Sequence, residues 1–524
     1  MIQDYPLTLI GGLFVLCGWY LITTTTSYSK LGQRNGCQLP KSYPHREKLL
    51  GLDYLRDSIT ARDNQCYLQR EQQLHQQNGN TYRSLFLGQW VLNTIEPDNL
   101  RAILSTSFAD YDAGARRRRA FKPLLGNSIF QSDGLQWRSA RSLLQKCFAQ
   151  ARIDDLDLLE PHIQSLLAAI PDNQKILDLA PLFHRFAADV ATDFLFGESL
   201  GSLSHPDRLE SGLQEAFYEA AAGCEFRWLL GKLAFLWPNR AFLAHVRTVH
   251  SFIQPYVDKA LQIDHQGCGQ GKNEKGRPDF LSQLCQRPHD RRSLQDEITT
   301  LYFAGADTVA ALLINLFFVL SKRPDAWKRV RIDIQHLRGQ KPTLQQLKSL
   351  RYVNGCILES LRIHPPQASN SRIANKDTIL PTGGGPDGKS PIFVSKGTMV
   401  HVATYALHRR RDLWGDEAEE FDPDRWIHQK QNWKFIPFLG GPRNCIGMDL
   451  AINEATYVLI RLAQEFGSIV SQDPNDWVES AGLALMSKNG VRVAMARKVI
   501  VNIGSVPGNT CMALYDHHTD YLQP

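Results

Sequence analysis

The sequence predicts a mainly helical protein with a smaller β region and one N-terminal transmembrane anchor helix. Helical periodicity, in which apolar residues recur every three to four positions, dominates residues 49–363. Short β-like runs separated by glycine-rich turns follow Pro365, among them residues 391–394 and 399–403. An uncharged apolar run occupies residues 7–22, close to the start of the chain.

Composition places the chain among folded proteins and argues against several functions. Of its 524 residues, 43% are hydrophobic and 21% are charged, a balance typical of globular proteins. The net charge of +6 is too small and too scattered to indicate a nucleic-acid partner, although it suits an anionic membrane surface. The 10 cysteines form no CxxC pair and no cluster with zinc-ligand spacing, so we expect neither a disulfide framework nor a zinc site.

The apolar run LTLIGGLFVLCGWYLI at residues 7–22 predicts a membrane anchor within residues 1–29. Asp4 is the charged residue before the run, whereas Lys30 and Arg34 follow it. Basic residues stay on the cytosolic side, so we expect a single-pass protein of the endoplasmic reticulum membrane with a cytosolic body. The alternative is a cleaved signal peptide, but no basic residue precedes the run and no clear small-residue cleavage site follows it.

The remainder divides into a body at residues 30–498 and an irregular C-terminal tail at residues 499–524. Residues 264–277 (DHQGCGQGKNEKGR) are polar and glycine-rich, which predicts a flexible surface loop. Residues 483–496 predict a β-hairpin, because Asn-Gly stands between two apolar stretches. The GGGPDG run at residues 383–388 also predicts a hairpin, since it opens no helix and lacks the context of a phosphate-binding loop.

Residues 438–447 (FLGGPRNCIG) surround Cys445 with residue types that suit a thiolate ligand to haem iron. Such a ligand must be held rigidly, stay ionised and be shielded from water. Gly441 and Gly447 allow the backbone to pass close to a flat macrocycle, Phe438 can cover the sulfur, and Arg443 can bind a haem propionate. The next residues have helical periodicity, and a helix N-terminus favours a negatively charged sulfur. The alternative is a glycine-rich turn around an inert cysteine.

These five positions match the haem-binding signature FxxGxRxCxG, and the chain resembles the cytochrome P-450 superfamily. The resemblance implies the cytochrome P-450 fold, haem b (iron protoporphyrin IX) as the cofactor and Cys445 as the axial ligand to its iron. It covers about residues 30–498, which we therefore expect to be a haem-thiolate catalytic domain.

Residues 296–321 predict a long apolar helix that carries Asp307 and Thr308. A transmembrane helix is disfavoured, because a buried charge in lipid is costly, and a central buried helix fits better. Thr308 can bond the backbone next to Gly305 and open a notch in the helix. On spacing alone, a buried aspartate satisfied by a backbone donor remains the alternative. AGADT resembles the family's oxygen-activation motif, which implies that Asp307 and Thr308 deliver protons during oxygen activation.

Glu359 and Arg362 lie three residues apart on one face of a helix predicted to run over residues 343–363. Surface pairs with this spacing are common and weak. The resemblance implies a buried network instead, in which the pair is joined by Arg425 of the FDPDRW segment and fixes the cysteine loop. Trp137 and Arg141 show the family's WxxxR spacing.

The resemblance implies that Trp137, Arg141 and Arg372, which lies in NSRIA, contact the haem propionates. The four arginines at residues 116–119 predict a solvated or membrane-facing surface.

Within the superfamily, the chain is similar to the fungal alkane and fatty-acid hydroxylase branch, on segments such as LLGNSIFQSDGLQW and FLGGPRNCIG. This implies insertion of one oxygen atom of O2 into a C–H bond of a long-chain alkane or fatty acid. Electrons are expected from NADPH through a separate NADPH-cytochrome P-450 reductase, because the chain shows no convincing dinucleotide or flavin motif. Ala306 and Val309 replace the branch's usual arginine and threonine, so oxidation of a fungal polyketide or terpenoid is the alternative.

Three further alternatives are weaker: a haem-thiolate isomerase or dehydratase, which would dispense with Thr308, a haem protein without enzymatic activity, and a structural membrane protein with an incidental motif. We expect an apolar small-molecule substrate and contacts with membrane lipid. The stretches predicted to line its pocket are residues 124–133, 211–230, 299–309 and 366–372, and the surroundings of Leu485.

Overall fold

The computed structural model describes residues 35–150, 156–171, 175–206, 212–237, 239–265, 280–284, 290–429, 432–480 and 482–498. The predicted anchor at residues 1–29, the tail at residues 499–524 and most of the loop predicted at residues 264–277 lie outside the described residues. Within the described part, helices predominate and short strands form a smaller β region. This agrees with the predicted fold class.

The helices are spread along the whole described chain. They are α1 (Leu52–Asp63), α2 (Tyr67–Asn78), α3 (Pro97–Arg101), α4 (Ala115–Leu125), α5 (Gly134–Gln150), α6 (Leu159–Ala169), α7 (Ala180–Phe196), α8 (Leu213–Leu230), α9 (Arg240–His265), α10 (Phe280–Leu284), α11 (Arg291–Ser321), α12 (Pro324–Asp333), α13 (Leu344–Ser349), α14 (Arg351–Ile363), α15 (Thr404–Leu407), α16 (Arg411–Trp414), α17 (Arg425–His428) and α18 (Met448–Glu465).

The strands form one mixed sheet and three small sheets. They are β1 (Lys41–Ser42), β2 (Thr81–Phe86), β3 (Gln89–Thr94), β4 (Tyr111–Asp112), β5 (Leu177–Asp178), β6 (Ser369–Ala374), β7 (Thr378–Gly384), β8 (Ser390–Val394), β9 (Met399–Ala403), β10 (Phe466–Ser471), β11 (Glu479–Ser480), β12 (Met486–Ser487) and β13 (Arg492–Arg497). The six-stranded sheet has the order β1-β2-β3-β9-β6-β4, and the smaller sheets are β10-β13-β5, β11-β12 and β7-β8.

Helix α11 is the central element of the fold. The side chain of Asp290 caps its N-terminus by accepting a hydrogen bond from the Ser293 N–H at 2.7 Å. Most of its side chains are buried, and it packs against α7, α9, α14 and α18. By length and composition α11 is apolar enough to cross a membrane, but most of it is buried inside the protein. The apolar composition of α11 is therefore explained by the burial of most of its surface.

Two strands lie where the sequence predicts mainly helix. β2 and β3 pair antiparallel from Thr81 with Thr94 to Phe86 with Gln89. The turn between them uses Leu87 at φ 49° and Gly88 at φ 76°. The chain around this turn, TYRSLFLGQWVLNT, is rich in β-branched and aromatic residues on both sides of a glycine, which is the hairpin signal that a helical interpretation overlooks.

The single helix predicted over residues 343–363 is wrong, because the chain breaks at Leu350 between α13 and α14. Leu350 has an extended backbone with ψ 96°. The carboxylate of Asp333 accepts hydrogen bonds from the N–H groups of Tyr352 and Val353, at 3.0 and 3.1 Å. A carboxylate from a distant segment thus provides the N-terminal partners that a new helix requires.

The predicted hairpin over residues 483–496 is also wrong in its pairing. A turn does occur at Gly490, which has φ 68°. However, β12 on one side pairs with β11, and β13 on the other side pairs with β10 and β5.

The predicted hairpin at residues 383–388 is confirmed, since β7 and β8 pair antiparallel around it. The runs predicted at residues 391–394 and 399–403 are confirmed as β8 and β9.

Gly355 tests how tightly α14 packs on the segment before α17. A Cβ at Gly355 would lie 2.5 Å from the carbonyl oxygen of Pro423, so the backbones must separate to admit it. We expect Gly355→Ala to lower the free energy of unfolding by about 1–3 kcal/mol, the usual cost of overpacking. Guanidinium unfolding measures the effect. Gly467→Ala is the control, because its Cβ would meet the nearest atom at 3.7 Å. Equal stability of the two variants would contradict the prediction.

Candidate active site

The loop that carries Cys445 is held in place by its own backbone and by α5. The N–H of Cys445 donates to the carbonyl oxygen of Phe438 at 2.9 Å, which closes the loop. The guanidinium of Arg141, on α5, donates to the carbonyl oxygen of Asn444 at 2.8 Å and to its side-chain oxygen at 2.6 Å. Helix α18 begins at Met448, three residues after Cys445, as the helical periodicity predicts.

Gly441 is required by the neighbouring protein backbone. It has φ 67°, and a Cβ there would lie 1.8 Å from the carbonyl oxygen of Leu104, in the π-helical turn Ala102–Thr106. Gly447 differs, since its Cβ would meet only the ring of Phe148, at 4.0 Å. Close approach to the Leu104 backbone is therefore a sufficient reason for glycine at position 441, in addition to the predicted approach to a macrocycle.

The sulfur of Cys445 is accessible although protein surrounds it. Its side chain is exposed, whereas burial of the thiol raises its pKa above the ordinary value. The N–H of Gly447 and the Arg141 guanidinium act in the opposite direction. A free thiol with a raised pKa is neutral, so an ionised sulfur here requires a bound metal cation.

Helix α11 also has an exposed side. Ala304 and Thr308, one helical turn apart, are exposed on a helix whose other central residues are mostly buried. The hydroxyl of Thr308 donates to the carbonyl oxygen of Ala304 at 2.6 Å, as the sequence predicts. Ile446, next to Cys445, packs on the same hydrophobic cluster as Phe303 and Ala306 of α11. The cysteine loop and α11 therefore border a common core.

Asp307 points away from the side of α11 that Thr308 occupies. It is buried, and its Oδ1 accepts a hydrogen bond from the hydroxyl of Tyr218, on α8, at 3.0 Å. Its Oδ2 is buried and has no hydrogen-bond partner in the described part of the chain. Burial raises the pKa of Asp307 to about 6, while hydrogen bonds from Tyr218 and from the backbone at Ala484 oppose this shift. The carboxyl can thus change its protonation state near neutral pH.

A group of arginines gathers near the cysteine loop around one shared carboxylate. Arg443 donates to Asp133 at 2.8 Å and lies 4.5 Å above the ring of Trp137. Arg372 is buried on β6, and Arg117 of α4 lies over an aromatic ring. Burial lowers the pKa of Arg117 to about 9 and that of Arg372 to about 10, and repulsion by Arg443 lowers both further. Positive charge therefore exceeds negative charge here.

The predicted propionate contacts are thus distributed in two groups. Arg372, Arg443 and Trp137 come together at the arginine group. Arg141 instead bonds the cysteine loop through Asn444.

Glu359, Arg362 and Arg425 form a buried network, as the resemblance implies. Arg362 donates to both carboxylate oxygens of Glu359, at 2.9 and 2.7 Å, and both side chains are fully buried. Arg425 lies 3.4 Å from the same carboxylate, and Trp426 donates to it at 2.9 Å. Arg362 also donates to three backbone carbonyls between residues 408 and 420. The network thus ties α14 to the segment that leads to the cysteine loop.

His408 extends this network toward Cys445. Its Nδ1 lies 3.1 Å from the carbonyl oxygen of Arg362, and its Nε2 accepts from the N–H of Ile436 at 3.0 Å. Burial lowers the pKa of His408 to about 3, and the Arg362 charge adds to this effect. The ring is therefore neutral, with its proton on Nδ1, and can accept from Ile436, two residues before Phe438.

The residues fit a haem with a thiolate ligand. The exposed Cys445 supplies the sulfur, α11 borders the same core as the cysteine loop, and the exposed residues in the middle of α11, Ala304 and Thr308, carry no charge. The surplus of buried arginine charge suits a dianionic partner such as a pair of propionates, because buried charges require compensation. This donor set is the one that the signature around Cys445 implies.

Sequence reasoning assigned no individual role to Arg117, Asp133 or Tyr218, although Asp133 and Tyr218 lie in the stretches 124–133 and 211–230 predicted to line the pocket. The prediction that residues 116–119 form only a solvated surface is wrong, because Arg116 donates to the carbonyl oxygens of Trp228 and Leu229 and Arg117 joins the arginine group. No local spacing marks these residues, since their partners come from distant segments.

Comparison with known proteins agrees with this site. The family model described as Cytochrome P450 matches residues 60–492. "Cytochrome P450 monooxygenase himC" of Aspergillus japonicus is 40% identical over 465 residues, which cover 88% of this chain and 84% of that protein. "Cytochrome P450 monooxygenase fsdH" of Fusarium heterosporum is 37% identical, with 92% and 88% covered.

"Cytochrome P450 52A12" of Debaryomyces hansenii is 35% identical over 441 residues, covering 79% of this chain and 84% of that protein. The family model and these relatives extend over most of the chain. The protein therefore belongs to the cytochrome P-450 family of monooxygenases, which are oxidoreductases, and the family implies a haem-thiolate cofactor with a cysteine ligand.

Glu359 allows the buried network to be tested. We expect Glu359→Gln to lower the free energy of unfolding by about 3–5 kcal/mol, because it leaves the buried Arg362 charge without its partner. Guanidinium unfolding measures this loss, and haem content after purification follows it. The matched control is Glu198→Gln, which removes an exposed pair with Lys259 and should cost less than about 1 kcal/mol. A similar loss of unfolding free energy in both variants would show that the network contributes little to stability.

Proposed function

We propose that this protein is a haem-thiolate monooxygenase that inserts one oxygen atom of O2 into a C–H bond of an apolar fungal metabolite. The proposal rests on the exposed cysteine Cys445 in its loop. The arginines near this loop carry more positive charge than the neighbouring carboxylate neutralises. Bound haem would supply reductive activation of dioxygen. Cys445 would be its axial ligand, and Arg372, Arg443 and Trp137 would hold its propionate side.

The protein's own residues would hold and move the protons that this chemistry consumes. Asp307, with a pKa of about 6, is suited to pick up and release a proton at Oδ1 or Oδ2. Thr308 would present its hydroxyl on the accessible side of α11. The hydrogen bond to the Ala304 carbonyl fixes the position of the Thr308 Oγ1 atom. Glu359, Arg362 and Arg425 would keep the cysteine loop rigid. Electrons would come from NADPH through a separate reductase, at the membrane of the endoplasmic reticulum.

The substrate class is inferred from the accessible side of α11 and from the relatives. Ala304 and Thr308 offer a methyl group and an uncharged hydroxyl, which favours an apolar molecule. Ala306 and Val309, which replace the branch's usual arginine and threonine, are buried and belong to two different hydrophobic clusters. The two departures from the aliphatic hydroxylase branch therefore do not by themselves exclude an alkane or a fatty acid.

A long-chain alkane or fatty acid is the second candidate substrate. It is supported by the segments that resemble the fungal aliphatic hydroxylases and by the 35% identity to Cytochrome P450 52A12. The identities to the monooxygenases himC and fsdH, 40% and 37% over larger shares of the chain, favour the fungal metabolite.

A turnover assay separates the two candidates. Microsomes containing the protein, added reductase and NADPH would be offered alkanes, fatty acids, polyketides and terpenoids, with products read by mass spectrometry. We expect hydroxylation of a polyketide or terpenoid and slower or no terminal oxidation of the aliphatic chains. Terminal oxidation of an alkane or fatty acid as the main reaction would support the second candidate. Product formation by Cys445→Ala would contradict the haem-thiolate proposal.

Thr308 is tested by the coupling between NADPH consumption and product. We expect Thr308→Ala to lower the product formed per NADPH by about tenfold or more and to raise hydrogen peroxide release, because the hydroxyl that delivers a proton is lost. Thr308→Ser keeps the hydroxyl and should retain most of the coupling. An unchanged product ratio in Thr308→Ala, with an intact reduced carbon monoxide spectrum, would remove Thr308 from the proposed pathway.

A further inference from the structure

A surface cavity is lined in part by Tyr218, the residue whose hydroxyl bonds Asp307. Its volume is about 530 Å³, and it opens between α7 and α8. It is lined by Pro181, Arg185, Gly212, Gln214, Glu215, Tyr218 and Glu219. The glutamates are exposed, Gln214 and Tyr218 are half-buried, and Asp307 is buried. The cavity therefore gives solvent a route toward a carboxyl that is otherwise enclosed.

The hydroxyl of Tyr218, which lines this cavity, is oriented by two hydrogen bonds. The amide nitrogen of Gln214, one helical turn away, donates to the tyrosine oxygen at 3.3 Å. The tyrosine hydroxyl then donates to Oδ1 of Asp307 at 3.0 Å. A hydroxyl oxygen has two acceptor positions, so one remains for a solvent molecule in the cavity. This geometry connects solvent, Tyr218 and Asp307 in series.

We propose that Tyr218 is a positioning residue through which protons from this cavity reach Asp307. The inference rests on the proposed function, in which Asp307 supplies protons for oxygen activation. In each transfer, one proton moves from solvent to the tyrosine oxygen while the phenolic proton moves to Asp307, so Tyr218 itself is unchanged. Burial and the Asp307 charge raise the pKa of Tyr218 above its ordinary value, which disfavours a phenolate and requires the two transfers to occur together.

The charged and titratable groups around Tyr218 and Asp307 determine the electrostatic potential along the proposed proton path. On α7, Arg185 lines the cavity and the ring of His184 lies 6.3 Å from that of Tyr218. On α8, the exposed carboxylates of Glu215 and Glu219 lie at the cavity and attract protons. On the other side of Asp307, the backbone at Ala484 lowers its pKa without adding a titratable group.

The first experiment measures Asp307 itself in the ferric holoenzyme, by infrared difference spectroscopy over a pH series. The carbonyl band of the protonated acid is assigned by its loss in Asp307→Asn. We expect a midpoint near pH 6 in the wild type. In Tyr218→Phe the midpoint should rise by about one pH unit or more, because the hydrogen bond that stabilised the charged carboxylate is gone. An unchanged midpoint would overturn the inference.

The matched control is Tyr256→Phe, on α9. The Tyr256 ring stacks on that of Phe196, with centroids 3.8 Å apart, so the variant also removes one tyrosine hydroxyl but from a different setting. Its Asp307 midpoint should equal that of the wild type. Both variants should keep the reduced carbon monoxide spectrum of the wild type, which shows that the fold and the thiolate ligand are intact.

The second experiment measures turnover with added reductase and NADPH in H2O and in D2O, on the substrate that the panel identifies. We expect Tyr218→Phe to lower kcat by about tenfold, to leave KM unchanged and to enlarge the solvent isotope effect. An equal isotope effect in Tyr218→Phe and wild type would overturn the inference. Absence of turnover in the wild type would count against the proposed function alone, because the infrared midpoints test the Tyr218–Asp307 link without turnover.

Discussion

The buried guanidinium of Arg362 is the interaction on which the region around the cysteine loop depends. A charge without solvent is tolerated only when its donors are satisfied, and here two carboxylate oxygens and three backbone carbonyls accept from it. The acceptors come from α14 and from the chain between residues 408 and 420. Two segments far apart in sequence are thereby fixed together, and only this arrangement satisfies the charge. Arg362 thus fixes the position of the chain before the cysteine loop relative to α14.

A neutral histidine, His408, connects Arg362 to the cysteine loop. His408 donates toward the Arg362 carbonyl and accepts from Ile436, and Phe438 then accepts from the N–H of Cys445. Because burial keeps the pKa of His408 low, a fall in pH over the physiological range does not charge the ring or break this chain of bonds. On the opposite side of the loop, Gly441 admits the backbone at Leu104. The loop is therefore held from two directions by contacts that carry no exposed charge.

The sequence was sufficient for features that depend on local spacing. The signature around Cys445, the pair Glu359 and Arg362, the long helix with Asp307 and the glycine-rich turn of β7 and β8 all lie within short stretches. The remainder depends on contacts between distant segments. The helix break at Leu350 follows from the Asp333 carboxylate, and the partners of β12 and β13 follow from the strands that compete for them. Asp133 and Tyr218 lie in stretches that the sequence predicts to line the pocket, but the contacts of Arg117, Asp133 and Tyr218 depend on distant segments, so no local pattern reveals their roles.

The arginine group has a consequence for which molecules the protein can retain. Arg117, Arg372 and Arg443 repel one another, and a ligand with two carboxylates would offset this repulsion. Any ligand that binds only the native state also stabilises it. A porphyrin diester has the same ring and the same metal chemistry, but its side chains are neutral and leave the repulsion in place. If the proposed cofactor assignment holds, the charge on the rim of the macrocycle would contribute to its selection as well as the metal at the centre, and loading would be coupled to folding.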